Sequence, residues 1–340
     1  MRAVVMTGPG GPEVLTMREV PTPEPGAQEV RVKVLRSGLN RADLSQRRGR
    51  YPAPPGWPSD ILGLEFSGVV DSCGGEVEGW AVGDRVMGIV GGGGYAEYLV
   101  THHRTLLPVP DSLDDDGAGG VPEVFLTAYD AVILQCGLAP GDTLLIHAVG
   151  SGVGTAAVQL AEFAGARSIG TSRTPGKLDR ARGLGLHQGI LAAQGPGGEP
   201  DGALAGGGPD WADEVLEATD GRGVDVVLDL VGGAYLAGNQ RVIAQGGRHV
   251  VVGVPSGTRS ELDLRLLMGR RATIRGTVLR ARPLEEKIEL TKGFVRDILP
   301  ALAAGRMRPV VDRVLPADSA AEAHRYLESN ESFGKVLLAW

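Results

Sequence analysis

Cysteine is scarce in this chain. Of its 340 residues only Cys73 and Cys136 carry a thiol. Two thiols exclude a disulfide framework and a four-cysteine zinc lobe. No apolar run reaches the roughly 20 residues that a membrane-spanning helix needs. The opening segment, Met1-Arg2-Ala3-Val4-Val5-Met6-Thr7, reads as a short strand. It lacks the apolar core and small-residue cleavage site of a secretory signal, so a cytoplasmic location is expected. Positive charge is not in excess either: 34 Lys and Arg stand against 41 Asp and Glu, a net charge of −7. Nucleic-acid binding wants a basic domain, so no nucleic-acid or membrane partner is expected. There is no internal repeat.

What is present is an ordinary globular composition, 42% hydrophobic and 22% charged, in a chain long enough for two domains. Residues 2–6, 14–19, 30–35, 64–71, 85–90 and 95–100 read as short strands separated by Pro and Gly turns. They predict a partly open β-barrel. Beyond residue 111 helical patterns alternate with apolar strands at 144–148, 167–171, 224–231 and 248–253. That alternation predicts βαβ units and a parallel sheet covered on both faces. The last part reads as one helix over 284–304, a strand at 309–315, a helix at 319–329 and a strand at 335–339. The fold class is therefore α/β. The stretch 192–209, rich in Gly, Pro and Ala, has too little apolar surface to order itself and predicts a mobile loop.

The most informative segment runs from Thr143 to Ala161. Thr143-Leu144-Leu145-Ile146 leads into Gly150-Ser151-Gly152-Val153-Gly154, and a helical pattern of Val153, Ala157, Leu160 and Ala161 leads out. Strand, glycine turn and helix lay a pyrophosphate against a helix N-terminus, where free N–H groups and the helix dipole favour negative charge. The fingerprint is degenerate. Gly150-Ser151-Gly152 supplies the first half, but Thr155 stands three beyond Gly152. A second frame sets Ala148, Ser151 and Gly154 at the three close-approach points. Past the second strand, where an acid usually holds a free ribose 2′-hydroxyl, the chain has Thr171-Ser172-Arg173-Thr174, with Lys177 a turn later. Ser172, Arg173 and Lys177 suit a 2′-phosphate, so NADPH is expected over NADH. His147, at the end of a buried strand, reads as a satisfied core histidine.

Asn40-Arg41-Ala42-Asp43-Leu44-Ser45-Gln46-Arg47-Arg48-Gly49-Arg50-Tyr51 resembles the NRADL…Q..G.Y stretch of quinone oxidoreductases. These belong to the medium-chain dehydrogenase/reductase superfamily and include zeta-crystallin. Residues 63–70, Gly83-Asp84-Arg85-Val86, 146–160, Pro122-Glu123-Val124-Phe125-Leu126-Thr127-Ala128-Tyr129 and Phe333-Gly334-Lys335-Val336 match as well. The likeness runs from Met1 to about residue 338 and is closest to the tumour-suppressor-inducible subgroup, which shares Ser151. It implies a GroES-like barrel domain made of residues 1–122 and 270–340. It implies a Rossmann domain of residues 123–269, a homodimer, and an active-site cleft between domains.

The resemblance also implies the chemistry. Zinc-dependent relatives carry a Cys where this chain has Leu39-Asn40, and Gly-His-Glu where it has Gly63-Leu64-Glu65. No metal is expected. An electron-poor acceptor, a quinone, needs no Lewis acid to take hydride from the cofactor. The family's site-lining residues match Asn40, Tyr51 and Thr127. Tyr51 would donate to a quinone oxygen, Asn40 would donate through its amide, and Thr127 would sit near the nicotinamide. Structural alternatives remain open: Tyr51 covering the barrel mouth, Asn40 capping the helix at Arg41, Thr127 bonding its own helix. Cofactor contacts are implied for Gly150, Ser151, Gly152, Val153, Gly154, Gly253, Val254, Leu279 and Asn330. A tyrosine that relatives often place after the third Rossmann strand is absent at 190–193. The same cleft would serve a reductase of activated C=C bonds in enones or enoyl thioesters. A member that binds NADPH or RNA without turnover is the alternative from another class.

Overall fold

The computed structural model describes residues 1–192 and 211–340, so the expected mobile loop lies outside the described residues apart from Ala192. The chain forms two compact units. Met1–Leu126 joins with Leu279–Trp340, and Thr127–Val278 stands between them in sequence.

The first unit is built on a curved sheet. The strand Glu29–Gly38 buries Val30, Val32 and Val34 in alternation, the period of a half-buried strand. It pairs antiparallel with Glu65–Cys73 along one edge. Its other edge is shared: Tyr98–His102 pairs with residues 29–33, and Lys335–Ala339 with residues 36–38. Register shifts after Arg31 and Val34 bend the strand and close the sheet towards a barrel. The C-terminal strand thus completes a sheet begun more than 290 residues earlier, as the family resemblance implied. Phe66, Val70, Val86, Val90, Leu99 and Leu106 fill the interior with the three valines.

The 284–304 segment corrects one expectation. It forms two helices, Leu284–Asp297 and Leu299–Ala303, with Ile298 between them. Pro300 has no N–H to continue the ladder, and its ring disfavours helical backbone just before it. Apolar periodicity runs through this break and hides it.

The second unit is a six-stranded, wholly parallel sheet. Its order is Gln188–Leu191, Arg167–Ser172, Thr143–Ile146, Val224–Asp229, Ile243–Val251, Thr273–Gly276. In sequence terms this is 3-2-1-4-5-6, the doubly wound dinucleotide-binding order. Its switch point lies between the strand that feeds the glycine turn and Val224–Asp229. The fifth strand starts at Ile243, five residues before the expected 248, because the Gly246-Gly247 pair continues it instead of ending it. The sixth, Thr273–Gly276, extends the sheet beyond the expected join at 269. It is exposed along its whole length and has no apolar run by which to find it.

Candidate active site

In the second unit the glycine turn is a built helix entrance. His147 ends the first strand, Ala148 adopts φ +50°, and the helix Gly152–Phe163 begins after Ser151. The Ser151 hydroxyl accepts from the Gly154 N–H at 3.1 Å, an N-cap that satisfies one orphan amide. Its own hydrogen is still available to a ligand. A Cβ on Gly154 would lie 2.6 Å from the Val149 carbonyl oxygen and 2.7 Å from that of Ala148. Glycine at 154 is therefore required for the helix to close on its strand, which selects the Ala148, Ser151, Gly154 frame. Gly150 precedes the cap; Gly152 and Val153 form the first helical turn with partly exposed backbone.

His147 is wholly buried between Thr171 (Nδ1 to Oγ1, 2.9 Å) and Asn239 (Nε2 to Oδ1, 2.7 Å). Burial pushes its pKa down to about 4, so the ring is a neutral structural link, as expected. Asn239 passes the network to Asp229, which also meets His249 at 3.1 Å. The other Asp229 oxygen accepts from the Val231 and Gly232 N–H groups, both at 2.8 Å. Burial would raise this carboxyl, but the His249 contact and these donors hold it below the usual range. The network thereby fixes the loop at the C-terminal end of the fourth strand. Beside it, Gly253 bonds back to the Asp229 carbonyl and Val254 is exposed.

At the end of the second strand Ser172 is buried, with its hydroxyl bonded to the Thr174 backbone. Arg173 is exposed and Lys177 partly exposed in the turn that follows. Sequence reasoning missed Tyr235, whose phenol burial raises and the Arg173 charge lowers in pKa. Tyr235 stacks on Trp211 at 5.1 Å, and both rings meet His147 edge-on. Thr127 lies buried near the end of the helix Pro122–Ala128.

In the first unit three carboxyl groups gather around the start of the helix Arg41–Arg47. Asp43 accepts the Asn40 N–H at 2.8 Å and the Tyr95 hydroxyl at 3.2 Å; burial raises its pKa to about 6. Glu65 is fully enclosed and pairs with Lys335, itself 3% exposed. The Asn40 amide donates to Glu65 at 2.8 Å and to the Gly38 carbonyl at 3.3 Å, and its oxygen accepts from Lys335 at 2.9 Å. Asn40 is thus a link of this cluster as well as the residue preceding the helix. The second Glu65 oxygen accepts the Glu123 backbone N–H at 2.8 Å.

Glu65 is the acid of the Gly-His-Glu pattern that zinc-dependent relatives carry, and an ammonium group and an amide already saturate it. Leu64 and Asn40 offer no thiolate or imidazole. These residues do not fit a catalytic zinc ion. Among the described residues no group of three or more His, Cys, Asp or Glu side chains could hold a metal.

Tyr51 is half-buried, and the Arg280 guanidinium lies 5.0 Å from its ring centre. Arg280 also donates to the Tyr51 carbonyl at 3.2 Å and the Gly91 carbonyl at 2.8 Å. Burial raises the Tyr51 pKa, and the nearby Glu123 adds to this against Arg280. The phenol is therefore a neutral donor at physiological pH. Leu279 is buried just before Arg280. Asn330 adopts φ +60° after the helix Ala320–Glu328 and is bonded to Arg41, the first residue of the helix Arg41–Arg47. Glu123, Lys335 and Arg280 were missed as site residues. Glu123 and Lys335 lie in segments that carry the family resemblance, but nothing local signals their convergence.

Residues 26–111 match the family model of the alcohol dehydrogenase GroES-like domain, and residues 207–338 that of zinc-binding dehydrogenases. A quinone oxidoreductase of Pseudomonas aeruginosa is 33% identical over 97% of this chain and 96% of its own length. The chain also matches a phenolphthiocerol/phthiocerol polyketide synthase of Mycobacterium tuberculosis, 30% identical, of which it spans only 14%. A solved NAD-dependent alcohol dehydrogenase superposes with a TM-score of 0.86 at 37% identity, all of both chains being covered. The mycobacterial protein Rv1454c complexed with NADPH superposes with 0.85 at 27%, again over both whole chains. No described helix is long and apolar enough to cross a membrane. With a GroES-like barrel unit, a doubly wound parallel sheet and a full-length relative at one-third identity, the chain belongs to the quinone oxidoreductase family of the medium-chain dehydrogenase/reductases.

Proposed function

We propose that this protein is an NADPH-dependent reductase that delivers hydride to a quinone without zinc. The observation that carries the reading is the barrel unit's chemistry: a neutral phenol at Tyr51 beside a cluster whose one retained zinc-site acid is saturated by Lys335. When bound, NADPH supplies the hydride. The N-terminus of the helix Gly152–Phe163 would take the pyrophosphate on its Gly152, Val153 and Gly154 amides, with the Ser151 hydroxyl beside them. Ser172, Arg173 and Lys177 would take the 2′-phosphate. Gly253, Val254, Thr127, Leu279 and Asn330 are the remaining contacts in this reading. Tyr51 would donate to the acceptor oxygen as negative charge develops on it. Asn40 would hold Glu65 and border the same site.

Rapid mixing of the NADPH-loaded protein with a panel of quinones should show cofactor oxidation. Tyr51→Phe should lower kcat about tenfold, the worth of one hydrogen bond to developing charge. No oxidation by any quinone sinks the reading. A second acceptor class is activated C=C bonds in enones or enoyl thioesters, which like a quinone take hydride without a Lewis acid. A higher kcat/KM for enones than for quinones decides for it.

We further propose that the protein pairs with a second copy through the outer edge of the parallel sheet. Thr273–Gly276 is the terminal strand in the sheet order among the described residues. Ile274 within it, and Leu264 (61% exposed), Leu266 and Met268 (75%) on the preceding helix Leu264–Arg270, stand exposed. An open strand edge with apolar neighbours is a liability that a two-fold partner covers. Sedimentation should give a dimer, and Leu264→Glu with Met268→Glu a monomer. A monomeric parent protein at micromolar concentration refutes the pairing.

A further inference from the structure

We propose that Glu123 is the general acid of the proposed reduction, giving its proton to the acceptor that takes the hydride. This rests on the reductase reading above. The three carboxyl groups of the barrel unit differ in what they have to bind. Asp43 accepts from two N–H groups and the Tyr95 hydroxyl. Glu65 accepts from Lys335, Asn40 and the Glu123 N–H. The Glu123 carboxyl accepts no hydrogen bond among the described residues and keeps partial exposure. It is the one acid of the cluster open to an incoming group.

Its neighbours keep it protonated. Burial raises the Glu123 pKa to about 8, and the charges of Glu65 and Asp43 add to this against Lys335 and Arg280. The Glu123 N–H is bonded to Glu65, which Asn40 also holds, and Glu123 precedes Thr127 by one turn on the helix Pro122–Ala128; its charge also bears on Tyr51, Arg280 and Lys287. Lys287 donates to the Arg280 carbonyl at 2.8 Å, and Arg280 lies over the Tyr51 ring. An acid with a pKa near the working pH is suited to proton transfer.

The balance is simple. A quinone takes one hydride, hence two electrons, and becomes the hydroquinone monoanion. The Glu123 O–H bond breaks, its proton moves to the anionic oxygen, and the hydroquinone leaves neutral. The Glu123 carboxylate then recovers a proton from water. Tyr51 donates a hydrogen bond throughout and keeps its proton.

The test is a pH profile of the full chain with NADPH and a quinone that it reduces. The parent kcat should fall tenfold per pH unit above about 8, where the acid has dissociated. Glu123→Gln should lower kcat ten- to a hundredfold at pH 7 and abolish that alkaline limb, with acceptor KM and NADPH affinity within threefold of the parent. Glu123→Asp should restore part of the rate and the limb. A merely structural Glu123 would lower kcat equally at every pH. A second readout needs no turnover. The native acid holds a proton between about pH 4.5 and 8 that the unfolded chain releases. The parent's folding equilibrium should therefore weaken relative to Glu123→Gln by up to tenfold per pH unit as pH rises through that window. If the parent reduces quinones and Glu123→Gln keeps its rate and profile, the acid role fails and the reductase reading stands. If the two proteins share one pH dependence of unfolding, Glu123 is not a protonated acid and the inference fails. If the parent reduces no acceptor, both readings fall.

Discussion

Lys335→Met should destabilise the protein by about 3–5 kcal/mol, the loss typical when one partner of a buried ion pair is removed. The Lys335 ammonium has three donors, and all are used: on Glu65, on the Leu39 carbonyl at 2.6 Å and on Asn40 at 2.9 Å. Methionine keeps the stem's packing but leaves Glu65, fully buried, with a charge that only an amide and one backbone N–H oppose. The denaturation midpoint, followed by tryptophan fluorescence, measures the effect. The companion variant isolates its cause. Lys335→Met with Glu65→Leu removes both charges, and matched apolar replacements of buried pairs are often neutral. The double variant should recover most of the loss. A single variant within about 1 kcal/mol of the parent would mean that the pair contributes no more than a surface pair.

Arg173→Ala with Lys177→Ala should weaken NADPH binding about a hundredfold and NADH binding by less than threefold. Each charge-assisted contact to a phosphate is worth about 1.5–3 kcal/mol, and the exposure of Arg173 places the pair at the low end. The two dinucleotides differ only in the 2′-phosphate, so their affinity ratio reads the groups around that phosphate, and the change in the ratio reads these two side chains. Titration of reduced-nicotinamide fluorescence gives both constants. Equal affinities in the parent protein would contradict the phosphate site, whatever the variants do.

The parallel sheet was legible because its signals are local. Apolar strands, a glycine turn and a helix of Ala157, Leu160 and Ala161 spacing declare themselves within about twenty residues; the order 3-2-1-4-5-6 came from the fold. The edge strand Thr273–Gly276 was not legible. A strand exposed on both faces carries no alternation. The helix break before Pro300 was written in the chain but masked by apolar spacing that runs through it.

The candidate site divides in the same way. Ser151, Arg173 and Tyr51 could be singled out from their own neighbours or from a short matched segment. Glu123 could not, although it stands inside one of those segments. Its character comes from Glu65, 58 residues away in sequence, and from Asp43, Arg280 and Lys335, which three different parts of the chain supply.

Residue type and short-range order alone were enough for the α/β class, a strand-rich first part and the glycine turn as helix entrance; a barrel completed by both chain ends and the replaced zinc ligands were legible through the family resemblance. Which carboxyl groups are satisfied, and which one stays open and protonated, emerged only once the chain was folded. A pKa is set by burial and by nearby charges, and here those charges come from residues as far apart in the chain as Asp43 and Lys335.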